Sequence, residues 1–585
     1  MIQRIPERYR PLAGTLALLF GAWVCMYGRI WSFENKPAHR FTAKALLTGT
    51  LRLRGMVTHA GHDEQIYNGA VFTNWGFGVP VLQAPFHALA GLIPPLHGFF
   101  PDRAIFFTYL AVTMPILWAA LDRLLVMVQP AAAPGSKGWR MATSWAATWL
   151  VLNATLFPFM STRFVVYEET LSYLVTFELL ALSAYIFALR SWSAASVAGL
   201  ALAGGIALIV RPIGAVYLCV WGLLVLLERR ERVKRVLLFG AVVAPFVVFF
   251  FYSNVVRSGS PFGLGFGNSN PAWDFETPIL RFGSVCEDSP KHVLQTVARL
   301  FYGFFFYVSP DTYFPWMKSC HFGLEERDKA GDPFLGPGIL VLLVGMIVGL
   351  VRRRVRDLRM YVPYAAMGML FCTFVARGDG FAWRYVGDFW TLIVLATVQY
   401  VYTVPSKSLV PFDRRMTKIM FWAGFAFLAR FLVPWEWNTR PDTVDQDQTA
   451  KMAEQFHAAR WETEGPLPTR LSCDHLPDPE VPYHNGLGWK PGCGVGTYTE
   501  VYLGVPAKQD DHYTVRFTTE GFSQPTLQVN VNGRVVTAHR VADANAYEAE
   551  TSIHYPALAS PIVMVTVLWT REAPPPGKLL SIELV

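Results

Sequence analysis

The chain has 585 residues, with 51 basic and 43 acidic side chains, so its formal net charge is +8. It is 52% hydrophobic, 15% aromatic and only 16% charged, and its mean hydropathy is +0.30. Soluble domains contain about 25% charged residues, so this composition excludes a soluble enzyme and the disordered and fibrous classes.

Long apolar runs between residues 11 and 434 predict membrane spans, because a helix needs ~20 apolar residues to cross a bilayer. We interpret the stretch 296–310 as a helix at the outer surface rather than a further span. The first run has a basic start but no small-residue cleavage site, so we expect an uncleaved span rather than a signal peptide. The pattern predicts about eleven spans, near 11–31, 105–127, 141–158, 166–189, 194–211, 213–228, 234–253, 335–351, 360–376, 386–403 and 417–434.

Clusters of Lys and Arg between these runs predict the orientation, because such clusters remain on the cytoplasmic side. An odd number of spans then places the N-terminus in the cytoplasm and the C-terminal domain outside the cytoplasmic membrane. The clusters are topology signals, and we do not predict nucleic-acid binding from them. They lie at 1–10, 136–140, Arg190, 228–235, 352–359 and 413–418.

Three outer segments are too long to be turns: 32–104, 254–334 and 435–585. We therefore expect the recognition or the chemistry on the outer side. The sequence predicts a transmembrane domain over 1–434 and a separate outer domain, with its linker, over 435–585.

The outer domain has the alternating pattern of β-strands, for example in YTVRFTTE at 513–520. Asn532-Gly533 is a strong hairpin signal between two further alternating runs. The pattern predicts a small β-sandwich, about 110 residues long from Cys473 onward. Its role is open between a structural lid and a carbohydrate-binding module.

The seven cysteines divide between the spans and the outer segments. Two lie in the second outer segment and two in the C-terminal domain, and outer segments are oxidising. This distribution predicts the disulfides Cys286–Cys320 and Cys473–Cys493. No cysteine and histidine spacing indicates zinc.

The first outer segment contains the sequence GHDEQIYNGAVFTNWGFGVPVLQAPFHAL, with His62, Asp63 and Glu64 near its start. One interpretation is a solvated loop in which Asp63 caps a helix that begins at Glu64. The other is a general base at the membrane boundary. The spacing alone leaves both open.

The ordered motifs of the first 434 residues resemble those of the GT-C superfamily of membrane glycosyltransferases, especially its protein-mannosyltransferase and aminoarabinose-transferase branch. Members carry an acidic pair in the first outer loop, at the position of Asp63 and Glu64. The further motifs are NWGFGVPVLQAPF at 74–86, LIVRPIG at 208–214, NVVRSGSPFGLGF at 254–266, LFYGFFFYVSP at 300–310 and GDGFAWRYVGDF at 378–389.

The resemblance implies an inverting transfer of a sugar from a polyprenyl-phosphate donor to a hydroxyl acceptor outside the cytoplasmic membrane. Asp63 would be the general base, with Glu64 as its acidic neighbour. Fixed cations would stabilise the leaving phosphate, and Arg384 and Arg211 match the motifs that lie at outer span ends. Arg384 is favoured, because Trp383 and Tyr385 flank it with aromatic surface.

Arg163 and the Glu168–Glu169 pair are further candidates at the start of the fourth span, although a solvated span end is an equally good interpretation of the pair. Asp63, Glu64, Glu168 and Glu169 could together form an oxygen-rich site that would suit Mg or Mn. No ligand spacing demands a metal, so we predict no metal and no cofactor beyond the lipid-linked sugar. The predicted partners are that donor, an outer glycan, lipid or protein acceptor, and membrane lipids. The full set of predicted substrate-binding residues is Arg384, Arg211, Arg163, Tyr67, Trp383, Tyr385, Glu169 and His62.

Two other functions remain open. A transporter of lipid-linked saccharide would show internal repeats and midplane charges, and we find neither in the sequence. A non-catalytic scaffold that binds glycan would keep its binding when Asp63 is substituted, whereas an enzyme would lose transfer.

Overall fold

The structure is a computed structural model of the chain. It describes residue 6 and residues 9–34, 38–53, 64–67, 70–73, 75–128, 137–161, 166–228, 231–263, isolated helical positions between 341 and 428, and 443–444, 468–475, 487–489, 491–505, 512–531, 534–542, 545–552, 562–568 and 577–585. The chain divides into two compact units. Unit 1 comprises Met1–Lys36, Phe100–Val248 and Cys286–Gln446, and unit 2 comprises Pro37–Phe99, Phe249–Val285 and Asp447–Val585.

The first half of the described chain is mostly helical. Its helices are α1 (Arg10–Cys25), α2 (Ala38–Leu47), α3 (Gly78–Ala90), α4 (Asp102–Val128), α5 (Lys137–Thr155), α6 (Phe157–Met160), α7 (Val166–Arg190), α8 (Ala194–Val210), α9 (Gly214–Leu227) and α10 (Arg232–Ser258). A two-stranded pair joins β1 (Phe33–Glu34) to β4 (Thr443–Val444).

Three helices in the described residues are long and apolar enough to cross a membrane, namely Asp102–Met127, Glu168–Leu189 and Arg232–Ser258. Three shorter apolar helices are Pro11–Cys25, Ala194–Val210 and Gly214–Leu227. Each coincides with a span that the hydropathy pattern predicts. The four spans predicted after residue 334 lie outside the described residues apart from isolated positions, so the total of eleven stays a prediction.

Helix α7 is the most deeply buried of the three long apolar helices that the structure describes. Its Tyr173 ring lies 5.0 Å from the Phe106 ring of α4, and its Tyr185 ring lies 5.3 Å from the Trp221 ring of α9. Between α4 and α5, Arg140 Nε donates to Asp122 Oδ1 over 2.8 Å. These contacts fix the helices of unit 1 against one another.

The C-terminal residues form an antiparallel sheet of nine strands. The strands are β5 (Arg470–Ser472), β6 (Leu487–Trp489), β7 (Val495–Gly504), β8 (His512–Glu520), β9 (Thr526–Val531), β10 (Arg534–Arg540), β11 (Ala546–Ser552), β12 (Ile562–Leu568) and β13 (Lys578–Leu584). Their order is β5-β13-β8-β11-β10-β9-β12-β7-β6.

The sheet bends so that its two ends meet around one core. Trp489 of β6 donates from Nε1 to the Leu579 carbonyl oxygen of β13 over 2.8 Å, and Gly494 forms a bridge with Lys578. Alternate residues of the strands, such as Val515 and Phe517, are fully buried in a single cluster. The strands are therefore hydrogen-bonded as one bent sheet rather than as the two separate sheets of the predicted sandwich.

Candidate active site

The acidic pair of the first outer segment leads into a β-hairpin. Strand β2 (Glu64–Tyr67) pairs with β3 (Ala70–Thr73), and Glu64 lies opposite Thr73. Of the two interpretations of this segment, the one in which a helix begins at Glu64 is therefore wrong. Isoleucine, tyrosine, valine and phenylalanine in these strands favour extended backbone, and the connecting residues Asn68-Gly69 are the pair most typical of two-residue hairpin loops.

The backbone of the hairpin is fixed at its C-terminal end by buried side chains. Phe72 and Phe77 are 2% exposed and pack with Leu51, which is 7% exposed, in a small cluster that also includes Phe249. Thr73 is fully buried, and its Oγ1 accepts a hydrogen bond from the Trp75 amide over 3.2 Å. Glu64 thus lies opposite a residue whose side chain is fully buried.

A buried arginine from the end of α10 completes this support. Arg257 is 2% exposed, and its Nη1 donates to the Trp75 carbonyl oxygen over 3.2 Å. Its guanidinium also lies 5.7 Å from the centre of the Phe77 ring, and its Nη2 donates to Asn254 Oδ1 over 2.7 Å. A cation in the last turn of a helix is also favoured by the helix dipole. Arg257 belongs to the motif at 254–266, but no feature of the sequence pattern indicated a role for this residue.

Helix α3 follows the hairpin and packs against α2 through buried polar residues. His87 of α3 is fully buried, and its ring lies 5.9 Å from the Phe99 ring. Lys44 of α2 lies over the same ring at 5.5 Å. Burial, together with the positive charges of Arg40 and Lys44, lowers the pKa of His87 to about 3. This histidine is therefore neutral and is a packing residue.

Glu168 and Glu169 lie in the first turn of α7, where the helix dipole favours negative side chains. They are 2% and 0% exposed. The alternative of a solvated span end is therefore wrong for this pair, because the side chains face the packed interior of unit 1. Buried carboxylates at one end of an apolar helix are costly unless they are functional or well bonded.

Arg211 is the residue that ends α8, and its extended backbone (φ −154°, ψ 137°) is typical of a residue before proline. Its carbonyl oxygen accepts from the Gly214 amide over 2.8 Å in a tight turn. A side chain at Gly214 would meet backbone atoms of Ala207 at 2.4 Å, so only glycine permits this turn. The Arg-Pro-x-Gly spacing therefore places Arg211 rigidly at the junction of α8 and α9.

The remaining predicted site residues fall outside the described residues: His62, Asp63, Arg163, Trp383, Arg384 and Tyr385. Glu64 and Tyr67 belong to unit 2, and Glu169 and Arg211 belong to unit 1. The two pairs of residues therefore belong to different units.

The C-terminal sheet also borders the hairpin, because Cα atoms of β2 and β12 approach within 8 Å. In the same domain a disulfide joins Cys473 to Cys493, the pair that the cysteine distribution predicts. The predicted pair Cys286–Cys320 lies outside the described residues. Cys473, Asp474 and Cys493 lie together in space, but the disulfide leaves these sulfurs without the thiolate that a metal needs.

The sequence matches no family model and no curated protein. Among solved structures, the chain is similar to the Archaeoglobus fulgidus oligosaccharyltransferase in the apo form, at 13% identity and a TM-score of 0.41, over 77% of this chain and 56% of that one. It is also similar to the arabinosyltransferase EmbB from Mycobacterium smegmatis, at 12% identity and a TM-score of 0.35, over 99% of this chain and 65% of that one. The chain thus spans less than two thirds of the length of either structure.

Proposed function

We propose that this protein is a membrane glycosyltransferase that moves a sugar from a polyprenyl-phosphate donor to a hydroxyl acceptor on the outer face of the cytoplasmic membrane. The observation that carries the proposal is the hairpin that begins at Glu64, directly after Asp63, and is fixed by the buried Arg257. A general base must be held within hydrogen-bond reach of the acceptor hydroxyl. A strand that is fixed by buried neighbours meets that requirement better than a free loop.

In this mechanism Asp63 accepts the proton of the acceptor hydroxyl as the hydroxyl oxygen attacks the anomeric carbon. The bond from that carbon to the phosphate oxygen breaks on the opposite face, so the configuration inverts. Glu64 beside Asp63 raises its basicity, because two neighbouring carboxylates disfavour each other's charge. Arg384 and Arg211 bind the phosphate, which gains charge as it leaves.

The proposal includes the eleven-span topology, with the N-terminus in the cytoplasm and the C-terminal sheet outside. The short distance between β2 and β12 supports a role of the sheet domain beside the acceptor. The domain would then orient the acceptor glycan or cover the site, and a polar acceptor is consistent with either role.

The test is transfer from a synthetic polyprenyl-phosphate sugar by the full chain in nanodiscs. Asp63→Asn keeps the size of the side chain but removes its basicity, so we expect turnover to fall by roughly 10²–10⁴-fold while donor binding survives. Arg384→Ala should weaken both donor binding and turnover, and Arg384→Lys should restore only part, because lysine lacks the planar fork.

The matched control is Glu520→Gln, which makes the same kind of change at an exposed carboxylate of the sheet domain. It should transfer sugar at the normal rate. Normal turnover by Asp63→Asn would remove Asp63 from the mechanism. Intact glycan binding with no transfer by the unmodified chain, for any polyprenyl-phosphate sugar, would favour the scaffold instead.

A further inference from the structure

Helices α4, α7 and α8 of unit 1 leave a groove of about 550 Å³ between them. Its wall is apolar over most of its length, with Val112 and Ile116 from α4, Phe177 from α7 and Leu202 from α8. Val112 is 56% exposed and Leu202 is 47% exposed. Because α4 and α7 are long and apolar enough to cross a membrane, we expect this groove to open towards lipid rather than water.

One end of the groove is polar. Arg123 of α4 lines it together with Ser191, Ser193 and Ser196. The Arg123 guanidinium lies 5.6 Å from the centre of the Phe187 ring. Among the residues that the structure describes, its buried Nε has no hydrogen-bond partner. The adjacent carboxylate does not serve it, because Asp122 is hydrogen-bonded to Arg140.

The start of α8 adds to the positive potential at this end. Ser193 precedes the helix, and its Oγ accepts from the Ser196 amide over 3.2 Å. The two serine hydroxyls are 2.9 Å apart, so one of them still offers a proton or a lone pair to a ligand. The N-terminus of a helix carries a partial positive charge. The polar end of the groove is therefore suited to an anion.

We propose that this groove binds one anionic phospholipid of the cytoplasmic leaflet, with the lipid phosphate at Arg123 and an acyl chain along α4. The groove spans α4 from Val112 to Arg123, which is 11 residue steps or about 16 Å of helix. That length matches half of a hydrocarbon core of about 30 Å, which is the depth that one acyl chain occupies. The basic cluster at 136–140 and the single Arg190 lie near this end of the helices, so the positive-inside rule predicts that it faces the cytoplasm.

The site is distinct from the proposed transfer site, which requires Asp63 on the outer side. A charged side chain within an apolar helix is costly unless it is paired. A lipid phosphate supplies the missing counter-charge while its chain covers the exposed valine and leucine. A polyprenyl phosphate shares this headgroup chemistry, but its chain is longer than the groove.

Native mass spectrometry of the full chain in detergent tests the proposal. We expect one phosphatidylglycerol with palmitoyl and oleoyl chains to bind, and phosphatidylcholine with the same chains to bind at least tenfold more weakly. Arg123→Gln should weaken phosphatidylglycerol binding by roughly tenfold, because it removes a charge-assisted contact to phosphate. The control Lys234→Gln removes one exposed cation from α10 and should bind normally.

A second variant keeps the test decisive if Arg123→Gln does not fold. Ile116→Trp leaves the cation in place but fills the apolar part of the groove, and it should also reduce binding. Equal affinity for both phospholipids, or equal binding by Arg123→Gln and Lys234→Gln, would overturn the proposal. Two further results would also contradict the proposal. Displacement of phosphatidylglycerol by inorganic phosphate would show that the site binds only the headgroup. Tighter binding of farnesyl phosphate than of phosphatidylglycerol would identify an isoprenoid lipid as the occupant.

Discussion

Arg257 and Trp75 are 182 residues apart in the chain, yet the Arg257 side chain donates to the Trp75 carbonyl oxygen over 3.2 Å. The contact connects the end of α10 to the turn that follows the β2–β3 hairpin. Arg257 therefore acts as a positioning residue, because it fixes the backbone that leads back to Glu64 and Asp63.

Arg257→Met should loosen the hairpin without unfolding the protein. A hydrogen bond from a charged group contributes about 1.5–3 kcal/mol, so opening of residues 64–73 should become more frequent by roughly tenfold or more. Hydrogen exchange followed by mass spectrometry measures this opening. Arg232→Met changes an exposed arginine at the other end of the same helix and should leave the exchange unaltered. Unchanged exchange in Arg257→Met would show that the apolar cluster alone fixes the hairpin.

Two glycine-to-alanine substitutions compare a position where two backbones are in close contact with an ordinary position in a helix. Gly214→Ala should destabilise the protein by about 1–3 kcal/mol, because its Cβ would overlap the backbone of Ala207 and force α8 and α9 apart. Gly240→Ala meets nothing within 4 Å and should be neutral or stabilising by up to about 1 kcal/mol. Thermal unfolding in detergent distinguishes the two variants. If both unfold at the same temperature, the turn that carries Arg211 is not restricted to glycine.

His87 predicts a pH dependence of stability. Its pKa is lowered from 6.5 to about 3 in the folded protein, so between these values the unfolded chain binds a proton that the folded chain does not. The stability should therefore be complete above pH 6.5 and decrease as the pH falls towards 3, by up to a few kcal/mol. Unfolding midpoints across this pH range should fall less steeply for His87→Gln. His539→Gln, at an exposed histidine of the sheet, is the control and should keep the full slope.

The cysteine pairs test the topology. Peptide mapping without reductant should find the Cys473–Cys493 link that the structure contains, together with the predicted Cys286–Cys320 link. Cys473→Ser should lower the stability of the sheet domain by about 3 kcal/mol, since the bond closes a loop with a sequence separation of 20. A reaction of any of these four thiols with a reagent confined to the cytoplasm would contradict the outer location of both segments.

The first half of the helical domain could be predicted from the sequence because hydropathy is a local property. Seven runs of apolar residues coincide with α1, α4, α5, α7, α8, α9 and α10. The strands β8, β9, β10, β12 and β13 followed in the same way from alternating residues. The hairpin at 64–73 was missed, because one interpretation placed a helix after Asp63 and the other assigned no local structure there. Asn68-Gly69 between two β-prone tetrapeptides was a usable signal.

The sequence by itself determined where the apolar helices of the first half of the chain lie and that a β domain follows them, and it indicated which acidic pair to examine. It could not determine the burial of Glu168 and Glu169. Nor could it determine the hydrogen bond from Arg257 to the Trp75 carbonyl oxygen, or the one from Trp489 to the Leu579 carbonyl oxygen. Each of these depends on residues far apart in the chain. Whether such a side chain is buried, and which residues it contacts, is decided only by tertiary packing. The interactions that stabilise it come from residues that are distant in the sequence.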